Sequence, residues 1–142
     1  EFGTAGSRLD ALAEDLPKIR ARWERLNPRP TRKIPILIGG GGERKTLRIV
    51  AEHADIWHSF SDPDTLERKL GILGEHCAAV GRDISEIEIS TGVSVRGMGS
   101  VAAEVRDRQY ELGVRLFEVA LDGPDFDLAP VRQLLGWRDS LG

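Results

Sequence analysis

A single cysteine, Cys77, excludes any intramolecular disulfide and fits a reducing compartment, so a cytoplasmic location is expected. No apolar run approaches the roughly 20 residues that cross a bilayer, and no secretory leader pattern is visible. A membrane role is therefore not expected. Lys and Arg number 20 against 23 Asp and Glu, interspersed, for a net charge of −3. That leaves none of the basic stripe that nucleic-acid binding needs. Histidine is scarce: His53 and His76 fall within helical patterns without a partner at ligand spacing, so no metal site is expected. No spacing of hydroxyl, histidine and carboxylate suggests nucleophilic catalysis, and no carboxylate pair stands out. The sequence assigns no catalytic residue. Methionine is nearly missing as well. The chain opens Glu1-Phe2-Gly3-Thr4 and holds only Met98, which raises the expectation of a removed leader or of an internal piece of something longer.

Glycine, by contrast, is plentiful at 16 residues, and four of these are consecutive, Gly39 to Gly42. The apolar run Ile34-Pro35-Ile36-Leu37-Ile38 stops at these glycines, and a helical pattern follows at once behind them. That order predicts a strand, a turn without side chains, and a helix N-terminus whose free N–H groups favour an anion such as phosphate. Two familiar phosphate motifs fail here. The P-loop needs glycine immediately before its lysine, where Arg44 stands; the dinucleotide fingerprint needs glycine or alanine where Arg44 or Lys45 stands. A generic phosphate cradle is what remains.

The 142 residues, 40% hydrophobic and 30% charged, suit one soluble globular domain spanning 1–142. Leu9, Leu12, Leu16, Ile19, Trp23 and Leu26 mark one face of a first helix, with Ser7 as its cap. Pro17 is expected to kink or divide it, Asp15 capping the second piece. A strand over Ile34–Ile38 precedes a helix from Glu43 to His53. A second strand over Asp55–Phe60 leads to a helix capped by Asp62, with Pro63 in its first turn, Leu66, Leu70, Leu73, Cys77 and Val80 inside, and Gly81 as the stop. Ile87–Val95 alternates as a third strand, followed by a helix over Ser100–Leu112. Leu116–Leu121 makes a fourth strand, Asp122-Gly123-Pro124 a turn, and Leu128 to Trp137 a last helix. Four strand–helix units preceded by a helix predict an α/β fold with a parallel sheet.

The stretch from Pro35 through the glycines and Glu43-Arg44-Lys45-Thr46-Leu47 to Ala54-Asp55-Ile56-Trp57 resembles the bacterial luciferase-like monooxygenase family, and is most similar to the branch that uses the deazaflavin coenzyme F-420. His76-Cys77-Ala78-Ala79-Val80-Gly81-Arg82-Asp83, Ile87-Glu88-Ile89-Ser90 and Leu112-Gly113-Val114-Arg115 fit the same family, so the resemblance covers about residues 1–140. It implies half of a (β/α)8 TIM-type barrel, the C-terminal half, since such barrels typically run to ~250 residues. It also implies that the missing half supplies the catalytic acid–base residues, and that the cofactor phosphate lies against Gly39, Gly40, Gly41 and Gly42. The expected cofactor is F-420, with FMN as the near variant; the expected partner is a small organic substrate.

Arg44 stands in the first turn behind the glycines, within reach of a phosphate; Lys45 is the weaker candidate. His58 and Ser59 end the second strand, where side chains face a ligand mouth, and His58 is read either as a donor to a phosphate or to the ring or as a satisfied structural histidine. Trp57 and Cys77 are read as core, and Asp55 as a residue that orients backbone below the site. Two alternatives stay open. One is a catalytically inactive half-barrel that binds phosphate and self-associates into a homo-oligomer through its exposed edges and apolar face. The other is a small flavodoxin-like domain, flat and with helices on both faces.

Overall fold

The computed structural model describes residues 3–95, 99–121 and 123–142. Asp122, read as part of a turn, and Met98 lie outside them. The chain begins with a helix, α1 (Ala5–Trp23), which Thr4 caps. Ser7 is not the cap: it occupies the third helical position and closes a reciprocal pair, its N–H bonding Thr4 Oγ1 at 3.1 Å while its hydroxyl receives the Thr4 N–H at 3.0 Å. Pro17 lies inside the helix without dividing it, so Asp15 caps nothing and pairs with Lys18 at 2.8 Å. Burial explains why the helix runs through: Leu16 is sunk in the core, with Leu9, Leu12 and Trp23 packed against it.

The strands are β1 (Leu37–Gly39), β2 (Ile56–His58), β3 (Glu88–Val95), β4 (Gly99–Ser100) and β5 (Val114–Val119); the further helices are α2 (Thr46–His53), α3 (Pro63–Ala79), α4 (Ala103–Glu111) and α5 (Ala129–Asp139). β1 starts three residues later than expected and extends through Gly39. Ile36 is occupied otherwise: its N–H bonds Asp55 Oδ2 at 2.8 Å and its carbonyl accepts from Asp55 and Ile56. β5 begins at Val114 rather than Leu116, because the Gly113 turn at φ 102 ends α4 directly against the sheet. β4 was not foreseen. It pairs antiparallel with the end of β3, and Val101 N–H prolongs the pairing to Val93 carbonyl, so α4 starts only at Ala103. Asp62 and Gly81 cap and stop α3 as the pattern predicted, but Val80, expected inside, is the cap residue and is 45% exposed.

β1, β2, β3 and β5 are parallel neighbours in chain order. The register groups Ile38, Trp57, Ile89 and Val114 in one row across them, and all four are buried. They share a core with Leu47 and Val50 of α2 and Leu66 and Leu73 of α3. Trp137 of α5 packs edge-on against Phe117, which pairs with Thr91 on that same face. The opposite row reads Leu37 and Gly39, Ile56 and His58, Glu88 and Ser90, then Leu116 and Glu118, and among the described residues no helix covers it: Leu37 is 46% exposed. Strands in unbroken order with helices on one face form part of a barrel wall. A flavodoxin-like domain needs an order that reverses and helices on both faces, so that alternative is excluded.

Candidate functional site

β1 and β2 both end at the same edge, and the glycine loop closes over it. Gly40 has φ 114, a conformation that favours glycine. It is held by two hydrogen bonds: its N–H donates to His58 carbonyl at 3.2 Å and its carbonyl accepts the Trp57 indole N–H at 2.8 Å; just beyond, His76 Nε2 lies 2.9 Å from the Glu43 carbonyl. Trp57 thus belongs to the core, as read from sequence, and also fastens the loop from beneath. Leu47 N–H bonds Gly42 carbonyl at 3.0 Å and starts the helix. Among the described residues, nothing accepts from the N–H groups of Gly41, Gly42, Glu43 or Arg44. These four free donors lie in the loop just ahead of α2, whose cap is Lys45, and successive free N–H groups in a loop favour an anion.

A cleft of about 540 Å³ opens beside this loop, lined by Gly39, Gly40, Gly41, His58, Ser59, Phe60, Ser61 and Lys69. The structure therefore brings together five of the residues singled out from sequence. Gly42 does not line the cleft; a Cβ there would lie 2.8 Å from Thr46 Oγ1, so its role is to let the helix start. Arg44 is exposed and does not line the cleft either. Lys45 is turned the other way, its ammonium 2.8 and 2.9 Å from the two carboxylate oxygens of Asp10 on α1.

The cation at the cleft is Lys69, which sequence reasoning missed. It reaches in from α3, and its Nζ lies 3.3 Å from Ser61 Oγ, which in turn lies 2.8 Å from Ser59 Oγ. Among the described residues Lys69 has no carboxylate partner. A Cβ on Gly41 would stand 2.2 Å from its Nζ, so the ammonium occupies the space that glycine leaves. The sequence signal was weak, since Lys69 lies 28 residues beyond Gly41 in an ordinary charged helix face. Gln109 Nε2 donates to Ser61 carbonyl at 3.2 Å and steadies that wall from α4.

Below the sheet, Asp55 orients backbone as expected. Burial opposes its ionisation, but the Lys33 ammonium, the Ile36 N–H and nearby Arg20 together hold its carboxyl below the usual carboxylate range. Burial pushes the Cys77 thiol up, consistent with an inert core residue. A second cleft, of about 340 Å³, lies by Arg20, Trp23, Arg29, Arg32 and Lys33. Two of its cations are already engaged, Arg20 with His53 carbonyl at 2.6 Å and Lys33 with Asp55. Among the described residues no helix is long and apolar enough to cross a membrane, and no group of three or more His, Cys, Asp or Glu is placed to hold a metal ion.

Residues 4–117 match the family described as luciferase-like monooxygenase. The chain belongs to that family. No curated protein matches it. Among solved structures, this luciferase-like chain is similar to an F-420-dependent secondary alcohol dehydrogenase in complex with an F-420–acetone adduct, at 16% identity and a TM-score of 0.68 over 84% of the chain. It is also similar to the coenzyme F-420-dependent tetrahydromethanopterin reductase from Methanopyrus kandleri, at 24% identity and a TM-score of 0.39 over 43% of the chain. The first likeness establishes the fold as part of that barrel. The luciferase-like chain spans 58% of the dehydrogenase's length and 18% of the reductase's.

Proposed function

We propose that this chain is the cofactor-binding half of an oxidoreductase that uses coenzyme F-420 or FMN, and that the cofactor phosphate rests on the Gly39–Gly42 loop. The observation that carries the reading is the loop itself. Four backbone N–H groups without a partner among the described residues run from Gly41 to Arg44, and Gly41 lines the cleft that also holds the Lys69 ammonium, which has no carboxylate partner there; a Cβ on Gly41 would fill the cradle. Backbone donors plus a flexible ammonium bind a phosphate without reading anything else about its bearer, which suits both cofactors. Ser59 and Ser61 add hydroxyls on the same side. When bound, the cofactor supplies hydride transfer to or from a small organic substrate. The residues of this chain orient it and exclude water. Membership of the luciferase-like family and the shared fold support F-420 first and FMN as the variant.

The test is calorimetric titration of the wild-type chain with F-420 and with FMN, each repeated in the presence of inorganic phosphate. Saturable binding of either, weakened by phosphate, supports the reading; binding of neither overturns it. The alternative of an inactive, self-associating half-barrel draws on a different observation, the uncovered sheet face with Leu37 46% and Phe60 70% exposed. A monomer at micromolar concentration by sedimentation would count against it.

A further inference from the structure

We propose that Glu118 and Ser90 are positioning residues that set the tautomer of His58 and so present its Nε2, as an acceptor, to a hydroxyl of the cofactor's polyol chain. The proposal rests on reading the cleft as the cofactor site. His58, Ser90 and Glu118 come from β2, β3 and β5 and share the face that no helix covers. Ser90 is fully buried, and its hydroxyl donates to Glu118 Oε1 at 3.0 Å. A serine hydroxyl has one hydrogen. Having given it to the carboxylate, Ser90 can only accept across the 2.8 Å contact to His58 Nδ1. The ring proton therefore sits on Nδ1, a position that Glu118 Oε1, 3.2 Å away, reinforces. This assignment follows from the hydrogen-bond network, and in a ring that carries a single proton it leaves the lone pair on Nε2.

His58 is 8% exposed and lines the cleft. Among the described residues Nε2 has no partner, and it is not sealed off either, since Gln109 Oε1 alone is both buried and unpaired. Phe60 stands edge-on to the ring, centroids 4.5 Å apart, and holds its plane. An unpartnered nitrogen on a nine-tenths buried ring that lines a cleft points to a ligand atom. A lone pair repels phosphate oxygens and receives an O–H. His58 pairs in register with Gly39, so the hydroxyl it meets is one close to the phosphate. FMN and F-420 both carry a hydroxylated chain between ring and phosphate. Under this proposal His58 accepts from a hydroxyl, where the sequence reading has it donate to a phosphate or to the ring.

The experiment is long-range proton–nitrogen NMR of the wild-type chain and of Ser90→Ala, Glu118→Ala and Glu118→Gln, with titrations of each by FMN, F-420 and inorganic phosphate. The wild type shows the Nδ1–H form. Glu118→Ala, which frees the Ser90 hydroxyl to donate to Nδ1, shifts His58 towards Nε2–H and weakens the cofactor about fivefold, the worth of one neutral hydrogen bond, with phosphate affinity unchanged; Ser90→Ala, in which Glu118 Oε1 still faces Nδ1, keeps the Nδ1–H form. Glu118→Gln, whose amide oxygen still accepts, retains both properties. An Nε2–H ring in the wild type overturns the relay while leaving the phosphate cradle intact. Phosphate affinity falling in step with cofactor affinity overturns the hydroxyl assignment. If neither cofactor binds the wild type, the underlying reading fails and this role of Nε2 fails with it.

Discussion

Replacing Gly41 by alanine separates binding from folding. The new Cβ would stand 2.2 Å from Lys69 Nζ and 3.2 Å from its Cε, and the other contact within 4 Å is Lys69 Cδ. The obstacle is the far end of a flexible side chain, which swings away at little cost. Gly41 is not among the residues with positive φ, so its backbone tolerates alanine. Stability should therefore stay within about 0.5 kcal/mol of wild type, as for a surface substitution. Binding should not escape so lightly. A hydrogen bond to a charged group contributes about 1.5–3 kcal/mol, and a displaced ammonium loses much of it, which corresponds to roughly tenfold or more in affinity. The assay is calorimetric titration with inorganic phosphate and with the cofactor, beside a thermal melt of the same sample. Gly136→Ala on α5 is the control, since it does not line the cleft and a Cβ there meets nothing within 4 Å. Unchanged phosphate and cofactor affinity in a folded Gly41→Ala chain would refute the cradle formed with Lys69.

Three further outcomes follow from other contacts. Trp57→Phe keeps the buried ring but removes the indole donor to Gly40 carbonyl at 2.8 Å; a loss of about 0.5–1.5 kcal/mol, the net worth of one hydrogen bond, should appear in denaturant unfolding. Asp55 has its folded carboxyl value lowered, so its contribution is present above the ordinary value near 3.8 and is lost as pH falls through the lower folded value. Unfolding curves should thus separate wild type from Asp55→Asn at neutral pH and converge in strong acid; parallel curves throughout would contradict the pairing. Leu37→Arg on the uncovered sheet face should shift sedimentation towards monomer, and an unchanged association would show that this face is not the contact.

Much of the fold was legible because local patterns and packing agreed. Asp62, Pro63 and Gly81 bound α3 as their chemistry dictates, and Trp57, a large apolar residue in a short strand, lies inside as read. Where they disagreed, packing prevailed. Pro17 did not divide α1 because Leu16 and its neighbours hold that helix against the core. The two-residue β4 escaped notice because a short strand next to a glycine has no periodicity to read. At the site, the glycine loop announced itself by its own composition. Lys69 and Glu118 did not, because each reaches the site from a distant segment that only the strand order brings near. Arg44 and Lys45 illustrate the converse: proximity in sequence to the loop, with exposure or an ion pair to Asp10 in place of the cleft.

The most direct test of the account is amide chemical-shift mapping of the chain titrated with F-420 and with FMN. The account predicts the largest shifts at Gly41, Gly42, Glu43 and Arg44, reproduced by inorganic phosphate, with smaller ones at Ser59 and Ser61. Shifts centred instead on the cleft by Arg29 and Arg32, or none anywhere, would contradict it.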